Sequence, residues 1–579
     1  MEAEAMILTD QKRIDEYTEK GWWGTDNLDD LFSRNAKENP EAVAVVDPPN
    51  RGEFAAGDPL RLTYGELDER VERLACALLR QGMGKDDILV VQLPNIAELI
   101  VTYLAAARIG AIVSPAPMQF RTHEFKYILS LIEPKACITV DRFEDFDHLA
   151  MVTDMKKQFP SLKYLIGLGA SIPKGVSSLG RMLDEPADRG LLESHRKKHP
   201  GNANEVYTIC WTSGTEADPK GVPRSHNHWI SISYSMVDGV PLDRESRALN
   251  VFPLVAMAGI GGMLVPWLIT GCRLVMHQPM NLPVFLRQIK EEQIHFTALP
   301  PVMLNAMLQN EDLLKMADLS SVKVIGSGSA PLSPWMVQGW QERGIVIMNI
   351  FASNEGSGLF STGETCPDPV DRARHFPRFG APGFTWSNRI TLGMTTKIVD
   401  PDTGKEIDEP GRPGELLVRG PTVFPGYYKR DDLTGKAFTG DGFYHTGDLF
   451  EIASSGTQND RYRFVGRLKD LIIIGGFNVA PEELENLIMG HPKVAAVSVV
   501  AIPDRHGAGD RICAVIVPRD EGKITVAELR DFLREKDIAS YKIPKKVVLM
   551  ESLPRNAMGK ILKREIIRTI TGGNSAEES

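Results

Sequence analysis

Cysteine is scarce in this chain and never clustered. Cys76, Cys137, Cys210, Cys272, Cys366 and Cys513 are spread over 579 positions without a pair at metal-ligand spacing. That excludes a disulfide-stapled scaffold and a cysteine-held structural zinc, and it points to a reducing compartment. An excess of basic charge is missing too: 66 Lys and Arg stand against 76 Asp and Glu, a net −10. No broad nucleic-acid surface is expected from that balance. Long unbroken hydrophobic runs are also lacking. The most apolar stretches, 96–113 and 251–270, are interrupted by charge or by Gly and Pro, so they read as buried elements and no membrane span is expected. The opening MEAEAMILTDQKRIDEY has no basic-then-apolar order; no secretory leader is expected, and the cytoplasm is the expected location. What remains, 42% hydrophobic and 25% charged, is an ordinary globular composition in a chain too long for one core, so two or more domains are expected.

The pattern predicts α/β layers. Thr63 and Glu66 are spaced as a capping box, with Leu67, Val71, Leu74, Ala75 and Leu78 at helical intervals behind them and Gly82 as the stop. Short apolar runs at 88–91, 136–140, 207–211, 273–276, 322–326 and 345–349 lack strict alternation, as strands covered on both faces do, and helices are expected between them, one at 97–108. Between 390 and 465 the texture changes to short strands (394–399, 414–419, 461–465) separated by Pro, Gly and Asp, predicting a small, partly antiparallel subdomain. From Lys469 a fresh pattern starts: strands at 471–474, 494–500, 512–517 and 547–550, helices at 481–489 and 527–536. The reading is a large domain over 1–468 followed by an independent α+β domain over 469–579.

The most telling local feature is the loop 212–222, TSGTEADPKGV, placed directly after the apolar run 207–211. Thr212, Ser213, Gly214 and Thr215 are small enough for backbone amides to approach an anion, and Lys220 adds a mobile cation for phosphate oxygens. The glycine-to-lysine spacing and the residue after the lysine differ from a Walker A loop. A plain surface turn is the competing reading.

The loop resembles the phosphate-loop signature of the adenylate-forming superfamily: acyl- and aryl-CoA synthetases, peptide-synthetase adenylation domains and luciferases. The likeness spans nearly the whole chain. It continues at Phe351-Ala352-Ser353-Asn354-Glu355, Tyr444-His445-Thr446-Gly447-Asp448, Gly466-Arg467-Leu468-Lys469-Asp470, and Pro554-Arg555-Asn556 with Gly559-Lys560. The resemblance implies ATP-dependent activation of a carboxylic acid to an acyl-adenylate, with pyrophosphate released, then capture by a thiol such as coenzyme A. It implies Lys560 as the adenylation lysine, Glu355 as the Mg²⁺ carboxylate and Asp448 at the ribose hydroxyls, helped by Arg467. Phe351 would border adenine where the family often has tyrosine, Lys469 would be the hinge of a mobile C-terminal domain, and Gly475-Gly476 would line the thiol's approach. Two departures stand out: Glu216-Ala217 replaces the usual hydroxyl residue and glycine, and Asn354 replaces the usual threonine, leaving an amide to donate to a phosphate oxygen.

For the acid, the family's pocket regions correspond to 250–264, NVFPLVAMAGIGGML, and 325–331. Val255, Met257, Gly328 and Ser329 are the expected lining, with His226 at the border. So apolar a stretch suits a medium-chain aliphatic, alicyclic or simple aromatic acid; buried structure without a ligand is the competing reading. The N-terminal half looks most like the dihydroxybenzoate-activating branch, whose catechol-reading asparagine falls near Met257. The leading expectation is therefore a carboxylate–CoA ligase. An aryl- or acyl-AMP ligase loading a phosphopantetheinyl carrier protein is the alternative, and a non-catalytic nucleotide-binding scaffold a further one. The oligomeric state is left open.

Overall fold

In the computed structural model, described over residues 5–212, 219–453, 459–474, 477–503, 510–519, 523–536, 538–555 and 561–572, the apolar runs become the inner strands of two sheets. The eight-stranded sheet runs Gly358–Ser361, Val346–Ala352, Val324–Gly328, Phe296–Ala298, Arg247–Asn250, Arg273–Met276, Val43–Val46, Arg61–Thr63. Its inner pairs are parallel and its two edge pairs antiparallel. The seven-stranded sheet runs Lys220–Ser225, Val206–Thr212, Ile112–Pro115, Ile88–Gln92, Ala136–Val140, Tyr164–Leu168, Ser177–Ser178, and is parallel except where the first two strands meet. Parallel strands need covered faces, which accounts for the lack of alternation in their sequences.

Helix Ala97–Ile109 shows how that cover is made. Every one of its residues is buried, as expected for a helix apolar on all sides. Its two charged side chains are neutralised in place: Glu98 receives Arg51 Nη2 at 2.7 Å and Arg108 donates to Asp29 at 2.9 Å. Helix Tyr64–Arg80 begins with the predicted box: Glu66 N donates to Thr63 Oγ1 (3.2 Å) and Thr63 N to Glu66 Oε2 (2.8 Å), while Gly82 turns the chain at φ +84°. Among the described residues no helix is long and apolar enough to cross a membrane.

Two strands of the eight-stranded sheet end later than expected. The run predicted at 322–326 is the strand Val324–Gly328, and that predicted at 345–349 is Val346–Ala352. In the first, hydrophobicity stops at Ile325 while the ladder continues through Gly326, Ser327 and Gly328; in the second, polar Asn349 interrupts the apolar run and the ladder continues through Ile350, Phe351 and Ala352. The five-stranded sheet His375–Pro377, Arg461–Arg467, Tyr444–Ile452, Gly414–Arg419, Thr395–Val399 is antiparallel throughout, and its first strand lies upstream of the stretch 390–465. After it come the hairpin Ile472–Ile474 and Phe477–Val479, and a three-stranded sheet, Val494–Pro503, Asp510–Pro518 and Lys546–Leu549. Helices Pro481–Met489, Val526–Arg534 and Lys563–Gly572 accompany them.

Candidate active site

Strand Val206–Thr212 delivers Thr212 opposite Lys220, the first residue of its antiparallel partner. These two strands pair antiparallel at the edge of the seven-stranded sheet, and the predicted phosphate loop joins them in sequence. Its residues Ser213, Gly214 and Thr215, with Glu216, Ala217 and Asp218, lie outside the described residues. Lys220 Nζ sits 5.0 Å from the centroid of the Tyr427 ring, and the Tyr427 hydroxyl donates to Glu355 Oε1 at 3.1 Å. Lys220 and the predicted metal carboxylate thus meet on one aromatic side chain. Burial, and then the neighbouring Glu355 charge, hold the Tyr427 phenol far above its ordinary value, so it stays protonated and donates.

Glu355 stands on a tight turn beyond strand Val346–Ala352, at the carboxyl edge where parallel sheets bind ligands. Ser353 N donates to Ser357 O (2.9 Å), Gly356 N to Ser353 O (3.1 Å) and Phe424 N to Glu355 O (2.8 Å). Gly356 is at φ +98°, and a Cβ there would lie 1.8 Å from Thr422 O, so only glycine fits. Arg224 secures the same turn from below. Fully buried, it donates from Nη1 to Asn354 O (2.8 Å) and from Nη2 to His228 O (2.9 Å) and Thr422 O (3.0 Å), with its guanidinium 4.6 Å from the Trp229 ring centroid. Burial draws its pKa down to about 10, yet it remains a fixed cation near Glu355. Sequence reasoning missed Arg224, Tyr427 and Gly356. The signals were an arginine four residues past Lys220, an aromatic pair after Pro425-Gly426, and the glycine following the acidic motif.

Asn354 is placed differently from expectation. Its Oδ1 accepts from Met257 N at 2.8 Å and its Nδ2 donates to Trp211 O at 3.4 Å. The amide expected to face phosphate is engaged with two other segments of the chain.

The five-stranded sheet supplies the next group. Asp448 and Arg467 are cross-strand partners, with Arg467 Nε 3.4 Å from Asp448 Oδ1. The approach is shaped by Gly447 at φ +71°. Glu415 holds that corner, accepting from Gly447 N at 3.0 Å and pairing with His445 Nδ1 at 2.9 Å. Lys469, exposed, lies in the short turn Leu468–Asp470 that leaves this sheet. Phe351, half-buried, belongs to an aromatic cluster, edge-on to Phe450 at 5.0 Å and near Phe376 and Phe464 at 6.3 and 6.2 Å.

Around the expected acid pocket, segment 250–264 is pinned by backbone-directed hydrogen bonds. Asn95 Nδ2 donates to Phe252 O (3.0 Å), the Tyr103 hydroxyl donates to Leu254 O, and Ser233 Oγ donates to Gly261 O (3.0 Å). The segment then passes through a π-helical turn, Ile260–Leu264, a geometry frequent at functional sites. Val255 and Met257 are buried. A Cβ on Gly261 would lie 2.7 Å from Met257 Sδ, so the methionine side chain folds back over that glycine. Of the other expected lining residues, Gly328 has no room for a Cβ, which would meet Ile350 O at 2.2 Å, and Ser329 is at φ +69°.

His226 departs from its expected place at the pocket border. It stacks on Tyr207 (4.7 Å, 24°) and its Nδ1 accepts from Leu28 N at 3.3 Å, a core position facing the N-terminal segment. Burial takes its pKa down to about 3. Lys560, Gly475 and Gly476 lie outside the described residues.

Among the described residues no group of three or more His, Cys, Asp or Glu could hold a metal ion, and no cation pairs with Glu355. A carboxylate fixed by one phenol and otherwise uncommitted fits a hard cation that takes its remaining ligands from phosphate and water.

The chain is similar to known proteins over nearly its whole length. A family model described as AMP-binding enzyme matches residues 32–428, and one described as AMP-binding enzyme C-terminal domain matches residues 483–560. The chain is 29% identical to the medium-chain fatty-acid–CoA ligase of Escherichia coli (strain K12), over 98% of this chain and 95% of the relative. It is also 29% identical to the 2,3-dihydroxybenzoate-AMP ligase of Bacillus subtilis (strain 168), over 96% of each. ATP-bound MatB from Rhodopseudomonas palustris superposes with a TM-score of 0.75 at 26% identity, covering 94% of this chain and 99% of that one.

Proposed function

The chain belongs to the AMP-binding enzyme family, the adenylate-forming ligases, and from that premise we propose that it is a carboxylate–CoA ligase for an apolar acid. A carboxylate oxygen attacks the α-phosphorus of ATP; the bond to the bridging oxygen breaks, and pyrophosphate leaves. The sulfur of coenzyme A then attacks the acyl carbonyl, AMP departs with the bonding pair, and the thiol proton passes to solvent. Two anions must meet in the first step, so the chemistry is mainly charge management.

Each candidate residue takes a part of that work. Lys220 and the loop 212–215 hold the outer phosphates, and Asp448 with Arg467 receives the ribose hydroxyls. Phe351 borders the adenine. Glu355, steadied by Tyr427 and the Arg224-clamped turn, holds Mg²⁺, which when bound screens the phosphate charge. Lys560 reaches the reacting oxygens from a C-terminal domain, 469–579, that swings about Lys469; the swing then brings Gly475-Gly476 to the thiol's path.

The observation that carries the substrate reading is the wall around Met257. Asn95, Tyr103, Ser233 and Asn354 each bond to the backbone of the segment 250–264, and the buried side chains of Val255 and Met257 offer apolar surface suited to aliphatic, alicyclic or unsubstituted aromatic acids. A methionine cannot exchange hydrogen bonds with catechol hydroxyls, which disfavours dihydroxybenzoate. Carrier-protein loading is the second reading, favoured by full-length likeness to an AMP ligase. Acid-dependent ATP–pyrophosphate exchange over C4–C12, cyclohexane and benzoic acids is the test. Exchange with apolar acids and thioester formation on coenzyme A supports the ligase. Thioester only on a carrier protein supports the second reading, and no exchange with any acid overturns both in favour of a nucleotide-binding scaffold.

A further inference from the structure

The Asn354 side chain spans the two halves of the site. Its oxygen accepts from the backbone amide of Met257, in the apolar wall, at 2.8 Å. Its nitrogen donates to the carbonyl of Trp211, one residue before the end of the strand that leads into the phosphate loop, at 3.4 Å. It is 8% exposed. The direction of the side chain is set from behind, because the Asn354 carbonyl is held by buried Arg224 at 2.8 Å and the next two residues are locked by Phe424 and Thr422. A planar amide with donor and acceptor on opposite arms can bridge two backbone segments at once. A hydroxyl on a shorter side chain reaches one.

We propose that Asn354 is a positioning residue for the acid: a strut that fixes the Met257 wall relative to the phosphate strand, and not a phosphate ligand. The inference rests on the ligase reading above and assigns this position a different task within it. Met257 is then set from both ends, its amide by Asn354 and its thioether by the room Gly261 leaves, where a Cβ would stand 2.7 Å from Sδ. Together the two contacts decide how far the methionine reaches into the space for the acyl chain. They also tie that wall to the loop binding ATP, so the acid's carboxylate is presented at a constant distance from the nucleotide.

The test is steady-state exchange kinetics on the full chain for wild type, Asn354→Ala, Asn354→Thr and Gly261→Ala, with ATP and acid varied separately and folding checked by thermal melting. The strut predicts that both Asn354 variants raise KM for the preferred acid about ten-fold, the scale of one lost buried hydrogen bond, while KM for ATP moves less than about three-fold. Gly261→Ala, which touches no nucleotide, should shift preference toward shorter acids. A phosphate-ligand role predicts the opposite pattern: Asn354→Thr near wild type, and Asn354→Ala raising KM for ATP. That pattern, equal effects on both substrates, or an unaltered acid profile in Gly261→Ala overturns the strut. Wild-type protein inactive with every acid overturns the ligase reading and the strut with it.

Discussion

Tyr427 is the residue on which the cationic and anionic parts of the site meet. Its hydroxyl is the donor that orients Glu355 and its ring face receives Lys220. Tyr427→Phe keeps the ring and loses the donor, so kcat/KM for ATP in the exchange reaction should fall about ten-fold with the melting temperature nearly unchanged; wild-type kinetics would remove Tyr427 from the site. Lys560 is a matter of reaction step. If its ammonium neutralises charge where carboxylate and α-phosphate join, Lys560→Ala should slow exchange about 100-fold and leave thiolation of a supplied acyl-adenylate far less affected. Equal loss in both half-reactions would sink the assignment. At this scale Glu355 and Asp448 could be singled out in the sequence as carboxylates beside glycine and hydroxyl residues, and the resemblance supplied the roles proposed for them. Arg224 did not, since its three carbonyl partners, at 228, 354 and 422, are remote from one another in the chain.

Among elements, the parallel strands were legible and their carboxyl ends were not. Hydrophobicity reports burial under helices, whereas Val324–Gly328 ends in the small residues Gly326, Ser327 and Gly328, and polar Asn349 interrupts Val346–Ala352 before Ile350, Phe351 and Ala352. The element that links the five-stranded sheet to the C-terminal residues is the single turn Leu468–Asp470. If rotation happens there, a proline at its centre, fixing φ and restricting the preceding residue, should impede it. Lys469→Pro is expected to keep exchange within about three-fold and to cut overall thioester formation about ten-fold or more, measured as separate half-reactions. Unchanged rates in both would place the hinge elsewhere.

For the whole molecule, buried histidines set the acid limit. Burial brings His226 down to about 3 and His148 to about 4, and puts His228 well below its ordinary value; Lys85, Arg121 and Arg224 respectively add to the effect. His195, His277, His295 and His375 are lowered for the same first reason. The unfolded chain takes up these protons near pH 6.5 and the folded chain does not, so the stability they contribute is complete above pH 6.5 and is lost as the pH falls toward 4. Two buried carboxylates act oppositely: Asp47, raised to about 6, and Glu482, raised to about 7, both mainly by burial, favour the fold at lower pH. Histidines outnumber them, so the melting temperature should drop about 5–10 °C between pH 7.5 and 5; a flat profile would contradict this account.

Local chemistry was enough for the α/β layering, the order of the glycine-, hydroxyl- and carboxylate-bearing motifs and the family they resemble, because strand propensity, helix capping and loop composition act over a few neighbouring residues. Partnership required the folded chain. That Asn354 turns to Met257 and Trp211, that Arg224 clamps the Glu355 turn, and that His226 joins the core are consequences of which strand ends converge. Hydrogen bonds between such ends are short in space and remote in sequence, and no local pattern encodes them.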